Sequence, residues 1–278
     1  MATSCKRNDT SGFTEVPSYI IIKDITVQSD EQLHGAGTDQ ITDAWVFVDD
    51  DQIGVFELPC EIPVLKDGDR NIKIFGGIKR GGINSQRASY EFYDPYEIDT
   101  ILTSEEAIEL SPVVTYNSNN AFEWKENFED ISILVDSTTA SDVAIRRISN
   151  PDIVRSGLYC GGMLLDAENS TGIFYTVDKI TIPKFAPSYI EFDYKTNVEL
   201  KISMQIFLLT GTIIPSEIIT VTASDDAEES GWKKMYVYIA PGISANNDAD
   251  QFQFYFTAEL PSAQQSGYVY VDNLKVVF

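Results

Sequence analysis

The residue types that most often carry catalysis are scarce in this chain: it has one histidine, His34, and three cysteines, Cys5, Cys60 and Cys160. A single histidine excludes a His-x-x-x-His zinc motif, and no serine or cysteine near His34 sits in a nucleophile motif. Carboxylates are plentiful instead. With 43 acidic residues, the paired carboxylates that glycosidic hydrolysis needs arise by coincidence, and no pair stands out. Three in a row, Asp49-Asp50-Asp51, lack the spaced oxygen ligands of a calcium loop and read as a solvated hairpin turn. The stretch Gly76-Gly77-Ile78-Lys79-Arg80-Gly81-Gly82 lacks the residue order of a phosphate loop. It reads as a flexible hairpin tip, with contact to an acidic partner as the alternative.

Alternation says more. Along Tyr189 to Lys195, Ile190, Phe192 and Tyr194 fall on one side and Glu191 and Asp193 on the other. Likewise Ile202, Met204, Ile206 and Leu208 leave Gln205 opposite; Met235, Val237 and Ile239 leave Tyr236 and Tyr238; Phe252, Phe254 and Phe256 leave Gln253 and Tyr255. A period of two makes one face of each strand core. The other face presents Glu191, Asp193, Gln205, Tyr236, Tyr238, Gln253 and Tyr255, residue types that stack on sugar rings and hydrogen-bond their hydroxyls. A merely solvated face is the plain alternative. A concave groove holding Tyr236, Tyr238 and Tyr255 favours a glycan ligand; a flat or occluded face favours docking to protein.

Such faces need sheets to carry them. Tyr19 to Ile22 with Ile25 to Val27 reads as one strand, Ala44 to Val48 and Ile53 to Phe56 as two more, and Ser104 to Glu109 as a helical turn. The polar, turn-rich Asn117 to Asn120 separates a domain over 15–116 from one over 122–278, with 117–121 as linker and 1–14 as tether. Eight or nine strands without a convincing helix make the second domain a jelly roll, and the whole chain is all-β with two sandwich domains. In the last stretch, Ser266 to Phe278, the alternation slips at Asp272-Asn273, which predicts a bulge or kink. A net charge of −23 repels nucleic acid and anionic lipid surfaces. No apolar run approaches the roughly twenty residues of a membrane helix. Cys60 and Cys160 fall in different domains and are expected to be buried thiols.

Val46-Phe47-Val48-Asp49-Asp50, Ile53-Gly54, Leu58-Pro59 and Ile62-Pro63-Val64 resemble the small PEGA and transthyretin-like (Ig-like) sandwich repeats of bacterial surface proteins. Gly-Tyr-Val-Tyr-Val-Asp-Asn-Leu-Lys-Val-Val, from Gly267, resembles the closing strand of galactose-binding-like, or carbohydrate-binding-module, jelly rolls, and Asn127-Phe128-Glu129-Asp130 resembles their opening strand. This second resemblance spans Ala121 to Phe278 and implies a jelly roll that binds carbohydrate or a protein partner. It also implies a structural calcium ion shared by Glu129 and Asp272, in which a hard cation relieves two carboxylates meeting at a strand pairing. Met-Ala-Thr-Ser-Cys followed by Lys6-Arg7-Asn8-Asp9 resembles the end of a bacterial lipobox, which implies lipidation at Cys5 and membrane attachment through that anchor alone. The expectation is therefore a non-catalytic, lipid-anchored outer-membrane protein whose partner is a glycan or an outer-membrane protein complex. Its alternatives are a structural accessory subunit of such a complex and a glycan-active hydrolase.

Overall fold

Runs of β-branched and aromatic residues, cut at short intervals by Gly, Pro and Asp, favour extended chain with tight turns over helix. The computed structural model describes residues 13–224, 231–246 and 248–278. Among these the chain is all-β, with two helices of about one turn, and no helix is long and apolar enough to cross a membrane. The anchor expected at Cys5 lies outside the described residues.

One unit comprises the described residues up to Gln28, Ile41–Ile78 and Arg87–Tyr116. Its strands are β1 (Phe13–Ile22), β2 (Thr26–Gln28), β3 (Asp43–Val48), β4 (Asp51–Glu57), β5 (Cys60–Lys66), β6 (Gly68–Lys79), β7 (Arg87–Ser89), β8 (Tyr93–Asp94), β9 (Tyr96–Leu102), β10 (Ala107–Leu110) and β11 (Val113–Tyr116). They form sheets ordered β4-β3-β6-β7 with β9 on β6, β10-β1-β5, and β2-β11-β8. Alternate residues of β1, β3, β5 and β6, among them Ile20, Val46, Ile62 and Ile74, are fully buried and supply the core.

Two local expectations fail here. The single strand expected over Tyr19 to Val27 breaks where the Asp24 carboxylate accepts the Ile25 N–H, and the chain passes from the β10-β1-β5 sheet to the β2-β11-β8 sheet. The helical turn expected at Ser104 to Glu109 is instead β10, paired parallel with β1, because Glu105 adopts φ 68° and ends any helical run. Asp49 and Asp50, with φ of 54° and 65°, make the β3–β4 hairpin turn. Their carboxylates and that of Asp51 pair with Lys66, Arg70 and Lys73. Cys60 is only half-buried, whereas Cys160 is fully buried.

The second unit comprises Ser29–Gln40, Lys79–Gln86 and Asn117–Phe278. The first two stretches, which the sequence assigns to the first domain, are thus parts of the second unit. It contains α1 (Glu31–His34), β12 (Trp124–Glu126), β13 (Val135–Ser137), β14 (Arg146–Ile148), β15 (Cys160–Asp166), β16 (Thr171–Thr176), β17 (Tyr189–Thr196), β18 (Leu200–Leu208), β19 (Ile213–Val221), β20 (Lys233–Tyr238), α2 (Ala240–Ser244), β21 (Ala249–Glu259) and β22 (Ser266–Val277). One sheet is ordered β14-β15-β22-β17-β20, with β12 also on β22; the other is β13-β16-β21-β18-β19. Their inner faces share one apolar cluster, in which Phe192 of the first meets Phe256 of the second edge-on at 5.5 Å. This is a jelly roll.

Strand β22 lies between β15 and β17 and is buried along almost its whole length. Glu191 of β17 faces Lys275 and Asp193 faces Asp272, so three steps on β22 match two on β17. The extra residue is a β-bulge at Asn273, whose φ is 52°. It turns both Asp272 and Lys275 away from the core.

Candidate functional site

The outer face of the β14-β15-β22-β17-β20 sheet carries Glu191, Asp193, Lys234, Tyr236, Asp272 and Lys275, and all six are buried. Ser29–Gln40 lies over most of them, while Asp272 bonds Ser156. Thr38 donates to Asp193 at 2.6 Å, Gln40 accepts the Lys234 N–H at 3.0 Å, and the Gln40 N–H reaches the Tyr236 hydroxyl at 3.3 Å. Lys275 Nζ donates to the His34 carbonyl at 2.8 Å. Beneath this strap, Glu191 Oε2 lies 3.3 Å from Lys234 Nζ and 3.9 Å from Lys275 Nζ. Burial, reinforced by the neighbouring Lys234 charge, lowers Lys275 to about 7. Burial likewise pushes Asp272 up to about 8, against the pull of the Asn273 N–H.

Lys79–Gln86 covers the adjoining part of this face. Arg80 donates to the Tyr189 hydroxyl at 2.7 Å, and its guanidinium lies 4.2 Å from the Tyr238 ring centroid. Gly81, at φ +61°, donates its N–H to the Tyr236 carbonyl. This left-handed conformation favours glycine, and a Cβ there would press on the Ile219 Cδ1 methyl at 2.5 Å. The glycine-rich stretch expected as a flexible tip is therefore a packed cover. Four residues expected in a ligand groove are corrected with it: Glu191, Asp193 and Tyr236 are sealed under the chain's own segments, and half-buried Tyr238 is capped by Arg80.

Gln205, Gln253 and Tyr255 lie on the other sheet, so no single groove unites them with Tyr236 and Tyr238. On its outer face the strand registers place Asp136, Tyr175, Tyr255, Ser203 and Glu217 in one row across all five strands. The Tyr175 and Tyr255 rings stack at 5.2 Å with 13° between their planes. Burial, with a smaller contribution from Tyr175, raises the Tyr255 hydroxyl above its ordinary pKa. On one side of this row stand half-buried Gln205 and buried Gln253, whose amide nitrogen donates to the Thr176 and Val177 carbonyls. On the other stand Lys201 and Thr257, at the edge of a cleft of about 770 Å³. Lys201 pairs with Glu217. Tyr175, Ser203, Lys201 and Thr257 were not singled out from sequence. Alternation with buried Phe174 marks Tyr175 as outward-facing, but cross-strand register has no local signal.

Glu129 and Asp272, expected to share a calcium ion, each bond other parts of the chain. Glu129 Oε1 accepts the N–H groups of Leu158 and Tyr159 at 2.8 and 3.0 Å, while Asp272 accepts from Ser156 and Asn273. The Phe128 and Glu129 carbonyls, the kind of ligand a calcium ion would take, accept from the Arg147 guanidinium at 2.7 and 2.9 Å. No cluster of three or more His, Cys, Asp or Glu suited to a metal occurs among the described residues.

No protein-family model matches the chain, and no curated protein matches it. Among the solved structures it is similar to are carbohydrate-binding modules. One is the xylan-binding module of Paenibacillus barcinonensis Xyn10C, at 11% identity over 56% of this chain and 94% of that one, with a TM-score of 0.40. A module specific for non-crystalline cellulose matches at 15% identity over 54% and 92%, TM-score 0.39. A third, from the β-sandwich superfamily of such modules, matches at 11% over 95% and 98%, TM-score 0.41.

Removing a buried counter-charge strands its partners, whereas an exposed ion pair contributes little. Glu191→Ala therefore destabilises the protein by about 3–5 kcal/mol in denaturant unfolding, and Glu217→Ala leaves it nearly unchanged. Between pH 3.8, the ordinary carboxyl value, and about 8 the folded chain holds a proton on Asp272 that the unfolded chain has released. The stability contributed by this group is greatest below that window and is lost as pH rises through it. Asp272→Asn accordingly shows a shallower decline of stability over this range than the wild type. The calcium expectation is checked by thermal melts in chelator and in millimolar calcium, in which a folded-state site raises the melting temperature by mass action and coincident curves overturn it.

Proposed function

We propose that the second unit is a non-catalytic carbohydrate-binding module whose binding face is the outer surface of the β13-β16-β21-β18-β19 sheet. The observation that carries this reading is the row Asp136-Tyr175-Tyr255-Ser203-Glu217. Tyr175 supports one ring face of Tyr255, and the small Ser203 stands on the other side. Between Tyr255 on β21 and Glu217 on β19 there is thus a trough two strand spacings wide, about 10 Å, floored by a serine and walled by an aromatic ring. A sugar ring there stacks its C–H face on Tyr255 while Ser203, Gln205 and Glu217 bond its hydroxyls. Both tyrosines are held before any ligand arrives, which lowers the ordering cost of binding.

A lipid anchor at Cys5 belongs to the same reading, because a glycan binder displayed at the outer membrane needs a tether and Ala-Thr-Ser-Cys with its polar continuation suits one. Expressed with its natural upstream sequence, the protein takes up a fatty-acid label, and Cys5→Ala abolishes the uptake; label retained on the variant would place the anchor elsewhere. For the binding face, Tyr255→Ala weakens glycan binding in calorimetry by about 1–3 kcal/mol and leaves the melting temperature within a few degrees of wild type. Undiminished binding by Tyr255→Ala would remove this face from consideration.

A further inference from the structure

We infer that the cleft beside this face is a subsite for the end of a glycan chain, so that the protein reads chain termini rather than chain interiors; this rests on the carbohydrate-binding reading above. Lys201 and Thr257 are a cross-strand pair on β18 and β21, one step beyond the Ser203–Tyr255 pair on the same outer face. That step is about 7 Å along the strands, so the cleft and the tyrosine row form one continuous surface. Immediately past Lys201 and Thr257 the two strands end, at Leu200 and Glu259. The connections that follow, 197–199 and 260–264, line the cleft.

These connections are a fixed wall. Asn197 Oδ1 accepts the Tyr268 N–H at 2.7 Å, Thr196 Oγ1 lies within hydrogen-bond reach of the Val198 and Tyr268 carbonyls, at 2.9 and 2.8 Å, and Gln264 reaches the Asn197 carbonyl at 3.4 Å. The Leu260 N–H is held by the Ser170 carbonyl at 2.8 Å. A sugar chain lying along β18 and β21 meets this wall at one end, while in the other direction the face runs on past Gln205 and Gln253.

The chemistry of the closed end matches a terminus. Glu199 and Glu259 are exposed carboxylates at the cleft, and Thr257 and Lys201 line it where it joins the tyrosine row. A terminal sugar carries one ring hydroxyl more than an internal one, because no glycosidic bond occupies that position. A hydroxyl donating to a carboxylate makes a charge-assisted bond, stronger than a neutral one. An internal sugar forced into the cleft would bury a carboxylate without that donor, and such unpaired groups discriminate strongly between ligands.

The test is calorimetry on the full chain with cello-, xylo- and manno-oligosaccharides of graded length and the corresponding soluble polysaccharides. For whichever series binds, the expected result is one protein per sugar chain at every length, with affinity reduced about tenfold by Glu259→Gln and by Thr257→Val while both variants melt as the wild type does. A number of proteins per chain that rises with length overturns the end-reading inference and leaves the carbohydrate reading intact. One protein per chain with affinity unchanged in both variants also overturns it, since the cleft then contributes nothing. Absence of binding to every probe overturns the carbohydrate reading and the inference with it.

Discussion

A single buried carboxylate, Glu191, organises more of this protein than any other side chain. It sits at the centre of a sheet, with no exposure, between two lysines from neighbouring strands. Alone it would be prohibitive to bury, and so would either lysine. Lys234 comes from β20 and Lys275 from β22, so the pairing ties the three strands at their outer face. The lysines in turn need acceptors for their remaining protons, and the His34 carbonyl and Thr38 supply them. The charged centre and the strap over it are therefore interdependent: the strap excludes water, and the charges hold the strap.

The bulge in β22 makes this arrangement possible. In a regular strand Asp272 and Lys275, three residues apart, would point to opposite faces. With Asn273 in the left-handed region both turn outward, and the Asn273 side chain bonds Asp193 at 2.8 Å and Ser156 at 2.9 Å. Asp272, next to a second carboxylate in a dry setting, keeps its proton well into the neutral range. The sheet accommodates this acid by leaving Asp272 uncharged.

The strands were legible because alternation is a local property. Phe252, Phe254 and Phe256 mark the core face of β21, and the slip at Asp272-Asn273 marks the bulge, without reference to anything distant in the chain. The site was much less legible. Tyr236 on β20 and Tyr255 on β21 occupy equivalent outward positions in equally regular alternations, yet one is 2% exposed and the other only half-buried. Period two separates two faces of a strand; it does not reveal what is laid across the outer one. The cover over Tyr236 comes from stretches some 200 and 155 residues earlier in the chain, as the Gln40 and Gly81 bonds show, and neither stretch has apolar periodicity to announce a packing role. Register was hidden for the same reason. That Tyr175, Tyr255 and Ser203 stand side by side follows from two separate strand pairings, neither of them between hairpin neighbours fixed by a short turn.

The strap and the glycine-rich cover also bear on how such a module could be passed between proteins. A gene segment cut at the polar linker near Asn117 would carry all of the jelly-roll strands and neither of the pieces that roof its charged sheet. Recombination that moves this architecture intact must move the upstream region along with it, so the two halves of the chain are bound to a common inheritance even where each has a core of its own.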